Sequence, residues 1–176
     1  MACVLTQGFP LDCTEDFGGI KNLYISEFDN IDATATVIAA GVVTTLTQVA
    51  ATDFFKYEVR QGNGSFVDTV NKEIANGTKF HETVGQFAIT KLTAAKNVEL
   101  DLVMAARCVA ILEDFNGKYW IVGLENGAEF GQGGTNQSMS GAAAGDKYGY
   151  DLAFTDRSKT FPPELDATVF AGLSIA

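Results

Sequence analysis

A single histidine limits the chemistry open to this chain. His81 is the only imidazole among 176 residues, so a Ser–His–Asp or Cys–His arrangement would have to be built on it. It falls in a segment of strand character beside Glu82, with no nucleophile motif nearby, and reads as an ordinary strand residue. The three cysteines, Cys3, Cys13 and Cys108, are odd in number, and no two have Cys-x-x-Cys spacing. That speaks against a disulfide framework and a zinc site, and for reduced thiols in a cytoplasmic compartment. Cys108, at a helix-to-strand junction, is expected to be buried and inert. Two carboxylate pairs, Glu15-Asp16 and Glu113-Asp114, raise the question of glycoside hydrolysis, which needs two carboxyls facing across a cleft. Neighbours along a strand point to opposite faces, so Glu113 and Asp114 cannot form that pair; both pairs read as solvated or interface charge. The glycine-rich segment 131–145 runs into Gly145-Asp146-Lys147-Tyr148, without the Gly-Lys-Ser/Thr ending of a phosphate loop and without a helix pattern after it. It reads as a flexible loop, free or ordered by a neighbouring subunit. No catalytic, cofactor-binding or metal-ligating residue emerges, and the sequence points away from an enzyme.

The elements that would position these residues are mostly strands. Two Asn-Gly pairs, Asn116-Gly117 and Asn126-Gly127, divide the strand-forming segments 109–115, 118–125 and 128–130. Asn-Gly between such segments signals hairpins with type I′ turns, in which both central residues take positive φ. A three-stranded meander is expected, with Glu113 opposite Trp120, Leu112 opposite Ile121 and Ile111 opposite Val122. Apolar side chains then occupy both faces, so the meander should be covered on both sides. Further strands are expected at 23–28, 54–61, 66–74, 79–91 (bent near Gly85) and 148–155, with a short final strand at 167–175 after a polar, proline-containing linker at 158–164. Residues 93–107 are expected to form the one helix: Thr93 is its N-cap, Ala95, Val98, Leu102 and Ala105 make an apolar stripe, Met104 belongs with the helix core, and Arg107 complements the dipole in the last turn. Residues 33–47 are rich in Thr, Val and Ala and divide at Gly41. They read as a projecting hairpin, ordinary or used for strand addition between subunits, that can be excised without unfolding the chain.

These elements sum to a mainly β fold: an antiparallel β-sandwich or partly closed barrel with one flanking α-helix at about residues 93–107. Residues 1–19 are expected to form an extended N-terminal arm and 20–176 a single β-rich domain. The formal net charge of −10 disfavours a nucleic-acid-gripping role. Only 19% of residues are charged and 18 are glycine, a balance that suits a turn-rich β protein or one whose surface is covered by neighbours. The N-terminus has no basic region and no long apolar stretch, so no secretion signal is expected, and the longest apolar run, 37–43, is far too short to span a membrane.

Four local patterns resemble a known group of proteins. They are Leu11-Asp12-Cys13 followed by Gly18-Gly19-Ile20-Lys21; Asn76-Gly77 with Glu82 five residues on; Asp114-Phe115-Asn116-Gly117-Lys118-Tyr119-Trp120 with Glu125-Asn126-Gly127-Ala128; and Gly145-Asp146-Lys147-Tyr148-Gly149-Tyr150 leading into Leu152-Ala153-Phe154-Thr155. Together they resemble small virion structural proteins of tailed bacteriophages, particularly those of Bacteroidetes hosts, and most of all the tail tube (major tail) protein family. The resemblance implies a tail-tube-like β-sandwich with a flanking helix, assembled in the host bacterial cytoplasm and carried in the virion tail. It implies homo-oligomeric, hexameric rings stacked into a tube, contacts with other tail proteins, and genomic DNA passing through the lumen without specific binding. No cofactor, metal or catalytic residue carries over. Six copies at −10 each would repel DNA from the wall, over a Debye length of about 8 Å. The alternatives are another virion component, such as a capsid decoration or head–tail joining protein, and, from a different class, a small-molecule-binding β-barrel.

Overall fold

The run Cys108-Val109-Ala110-Ile111-Leu112 is apolar at every position, the pattern of a strand buried on both faces. A computed structural model describes residues 7–11 and 15–176 of the chain; residues 1–6 and 12–14 of the expected arm, Cys3 and Cys13 among them, lie outside the described residues. The strands are β1 (Ile20–Glu27), β2 (Val37–Ala39), β3 (Val42–Thr45), β4 (Phe55–Glu58), β5 (Gly64–Glu73), β6 (Thr78–Thr90), β7 (Arg107–Asp114), β8 (Tyr119–Val122), β9 (Ala128–Phe130), β10 (Gln137–Met139), β11 (Gly149–Ser158) and β12 (Glu164–Leu165). The helices are α1 (Ala94–Ala105) and α2 (Ala167–Ala171), with a 3-10 turn at Phe28–Asn30. The fold is mainly β with a flanking helix, as expected. Its sheet is mixed, because β12 pairs parallel to β3 while the remaining strand pairs are antiparallel.

Strand β7 is the branch point. One edge pairs with β1 along its length; the other pairs with β8 over Ala110–Glu113 and with β9 at Arg107 and Cys108. The sheet continues from β8 through β12 and β3 to β2, and from β9 through β11 and β6 to β5. Gly64 brings the start of β5 back against Ile20 of β1, so six strands curl into a partly closed barrel. Leu23, Phe87, Leu112, Phe130 and Phe154 fill its interior, capped by Leu100 of α1. A second core lies on the opposite face of β7, where Val43, Phe54, Val109, Ile111, Ile121 and Leu165 are closed over by Phe170 and Leu173. Both faces of the central strand are thus covered, as its composition requires.

The Asn-Gly turns differ from the expected form. Asp114 N–H donates to Lys118 O, and Gly117 N–H to Asp114 O. Gly117 has φ +79°, whereas neither Asn116 nor Asn126 has positive φ. This is a three-residue loop, a type I turn followed by a left-handed glycine. It shifts the register by one: Glu113 faces Tyr119, Leu112 faces Trp120 and Ile111 faces Ile121. At Asn126-Gly127, Gly127 N–H closes on Gly123 O, and β9 returns to the same edge of β7 that β8 has just left. The three segments are therefore not a meander. The turn with two positive φ values is Ala40-Gly41 (51° and 82°), between Ala39 and Val42.

Four other expectations change. Residues 167–171 are helical, not a strand: Asp166 caps α2 by accepting from Thr168 N at 2.7 Å, which turns Val169 and Phe170 toward the second core. Helix α1 keeps its Thr93 cap, whose hydroxyl accepts from Lys96 N at 3.3 Å, but the stripe Ala95, Val98, Leu102 and Ala105 faces outward, with Met104 exposed as well. Leu100 and Val103 face the barrel instead. Arg107 has left the helix for β7, and its guanidinium sits 5.0 Å over the Phe28 ring. Residues 131–145 include β10, which pairs with β11. Gly133 and Gly134 lie so close over Thr155, Ala153 and Gln86 that a Cβ would collide, so these glycines serve close packing. Finally, the 33–47 hairpin projects only through β2: Val43 of β3 is fully buried and Val42 pairs with Glu164. Excision of 35–45 would take part of the second core with it.

Gly85 shows why a glycine sits within a long strand. The Phe154 ring lies across it from the paired strand, occupying the space of a Cβ. Gly85→Ala is expected to destabilise the fold by about 1–3 kcal/mol through overpacking, read from the midpoint of urea unfolding.

Candidate functional site

The projecting β5–β6 hairpin brings together a hydrogen-bonded cluster of Asp, His and Thr side chains. Asp68 of β5 faces Thr83 of β6, and His81 lies two residues along β6 on the same face. His81 Nδ1 meets Asp68 Oδ2 at 2.7 Å, and Thr83 Oγ1 donates to Asp68 Oδ1 at 2.8 Å. A carboxylate only accepts, so Nδ1 carries the hydrogen. Asp156 of β11 faces Thr83, and Ser158 faces His81. The Phe161 ring packs edge-on against the imidazole, with centroids 4.3 Å apart.

Asp, His and Ser thus meet on one sheet face, but not as a catalytic relay. Ser158 Oγ donates to Thr160 O at 2.7 Å. His81 is fully buried and its Nε2 has no partner, so among the described residues no hydroxyl or thiol hydrogen-bonds it. The Asp68 hydrogen bonds tie β5 to β6, and the Phe161 ring of the 159–163 segment packs over the imidazole. Asp156 Oδ2 accepts from Gly123 N at 3.0 Å, while its Oδ1 is buried without a partner. Burial raises the Asp156 carboxyl above its ordinary range; the Gly123 and Arg157 N–H groups oppose that without cancelling it. The sequence offered one route to this set: pairing the strands across Asn76-Gly77 with a four-residue loop places Asp68 opposite Thr83.

Glu113 is not solvated as expected. It is buried beside the second core, where it accepts from Lys21 Nζ at 3.0 Å, Asn22 Nδ2 at 2.6 Å and the Tyr24 hydroxyl at 2.9 Å. Burial pushes its carboxyl up, but those three hydrogen bonds and the Lys21 charge outweigh burial and hold it below the usual range. Burial is also the main reason the Tyr24 hydroxyl is driven far above its usual range, with the Glu113 charge adding to it. Asp114, on the opposite face, organises the turn: Oδ1 accepts from Asn116 N and Lys118 N at 2.8 and 2.9 Å, and Oδ2 from Trp120 Nε1 at 3.2 Å. Glu15 and Asp16 are exposed. Cys108 is buried as expected, its thiol pushed up to about 11 by burial and the nearby Glu27 and Glu129 charges.

The turn also fastens the arm. Asn116 Oδ1 accepts from Phe17 N at 2.8 Å and Asn116 Nδ2 donates to Phe17 O at 3.0 Å, while the Phe17 and Phe115 rings meet edge to face. Among the described residues no group of three His, Cys, Asp or Glu side chains could hold a metal ion, and no helix is long and apolar enough to cross a membrane. No protein-family model, curated protein or solved structure matches the chain.

Two carboxylates give opposite pH signatures. Glu113 contributes stability above its unfolded value near 4.5 and loses it as pH falls through its lower folded value. Glu113→Gln should therefore cost about 1–3 kcal/mol at pH 7 and progressively less below pH 4.5. The Asp156 carboxylate imposes a cost that grows as pH rises above its unfolded value near 3.8. Asp156→Asn should stabilise at pH 7 by about 1 kcal/mol, some 2–4 °C in Tm, with the gain vanishing below pH 3.8. Thermal melts of dilute protein across pH measure both.

Proposed function

We propose that this chain is a self-assembling structural subunit of a phage virion, most specifically a tail tube protein. In this reading, copies form stacked, hexameric rings around a lumen through which genomic DNA passes without specific binding. The observation that carries self-assembly is the state of the sheet's ends. At one end, β2 exposes Val37 and Ile38, each about half accessible (50% and 52%). At the other, β5 exposes Val67 and Val70, and Ile74 stands 83% exposed at the hairpin tip. Unpaired edge strands bearing apolar side chains are templates for pairing with another chain, and monomeric proteins usually blunt them. The arm adds exposed Phe9 and Leu11, and α1 adds Val98 and Leu102.

The virion assignment rests on the local patterns quoted for the tail tube family, and the mainly β fold with a flanking helix accords with it. A net charge of −10 suits a wall that repels DNA. A small-molecule carrier is less favoured, because Phe87, Leu112, Phe130 and Phe154 occupy the barrel interior. Purified protein is expected to form rings or stacked tubes in negative-stain electron microscopy, with a concentration-dependent mass by light scattering. A monomer at all concentrations would overturn the assembly reading; a monomer that binds only capsids would move the assignment to a decoration protein.

A further inference from the structure

The β5–β6 hairpin overhangs the sheet. Strand β11 ends opposite His81, so the rows Asn71–Phe80, Lys72–Lys79 and Glu73–Thr78 have no third strand, and the turn at 74–77 stands beyond them. Two lysines face each other directly across this tip, an arrangement unfavourable in isolation. Among the described residues neither forms an ion pair, whereas Glu73 accepts from Ala75 N in its own turn. The tip thus presents an apolar Ile74 flanked by two free cations.

A surface of complementary chemistry lies beside α1. Between α1 and the β1–β4 edge runs an apolar groove of about 100 Å³, with Phe55, Tyr57, Leu102 and Val103 among its walls. It is smaller than the about 150 Å³ cavity that accepts benzene, the scale of one aliphatic side chain. Leu102 and Phe55 stand 61% and 48% exposed on it. Glu27 and Glu99 also line it, and among the described residues neither has an ion-pair partner. The nearby cations are engaged: Lys56 with Glu58, and Arg107 over Phe28.

We propose that the occupant of this groove is the β5–β6 tip of a second copy, with Ile74 in the groove and Lys72 and Lys79 against Glu27 and Glu99. This rests on the self-assembly reading and adds which surfaces meet. Tip and groove are different patches, so the contact is heterologous and propagates into a ring or a filament.

The test compares assembly of full-length variants by light scattering and electron microscopy, with thermal melts as the fold control; Ile74 and Leu102 are exposed, so Ile74→Asp and Leu102→Asp should melt like the wild type. Each is expected to raise the concentration for half-assembly about tenfold or more. An equal mixture of the two should stop at dimers, since one copy keeps its groove and the other its tip. Lys72→Glu with Lys79→Glu, or Glu27→Lys with Glu99→Lys, should each block assembly, and all four substitutions together should restore it. Variants that assemble like the wild type would overturn this contact and leave self-assembly standing; a wild type that is always monomeric would overturn both.

Discussion

Everything in this fold is hung on β7, a strand paired on both edges and buried on both faces. Cys108, Ala110 and Leu112 face the barrel, while Val109 and Ile111 face the second core, each at most 2% exposed. Such a strand has no solvent side to absorb error, so a one-residue shift would exchange the two cores' side chains. The neighbouring strands are arranged to satisfy it. Strand β1 takes one whole edge, and β8 and β9 share the other, with the Gly123–Gly127 detour between them. Where β8 leaves for β12 and β9 leaves for β11, one sheet becomes two layers.

Charge enters this apolar centre only where donors are built to receive it. Glu113 closes the end of the second core under three donors, and Asp114, one residue on and facing the other way, holds the turn that sets the β8 register. One dipeptide therefore serves a core and a loop at once. The Asp68–His81–Thr83 set does similar work for the hairpin, fixing three side chains on one face where β5 meets β6. Asp156 is the less settled member, with one oxygen bonded to Gly123 and the other buried without a partner, and such a group carries an energetic cost.

The proposed role follows from the contrast between this centre and the periphery. The interior is filled and its polar groups are mostly paired, whereas apolar side chains at the sheet ends, the hairpin tip and α1 remain uncovered. A structural subunit needs that division: a rigid body that positions adhesive edges at fixed separations. Hydrophobic contact would supply affinity, and the opposed lysine and glutamate pairs would supply register.

By itself the sequence determined the chain's element types wherever local chemistry is decisive. The apolar run at 108–112 demanded a doubly buried strand, Thr93 started a helix, and Gly41 turned a hairpin. It could not decide register, because Asn-Gly serves both a type I′ turn and a type I turn with a left-handed glycine, and the placement of the strands selects between them. Nor could it decide which helix face is covered: the spacing of Val98 and Leu102 shows that they share a face, but only packing revealed that Leu100 holds the inner one. The short apolar segment after Asp166 fits strand or helix by periodicity alone; its cap and the space beneath Phe170 made it a helix. The Asp68–His81–Thr83 set, with Asp156 beside it, was hidden for the same reason as the register. Asp68 lies across one hairpin from His81 and Thr83, and Asp156 on the distant β11, so only cross-strand pairing brings the four to one face.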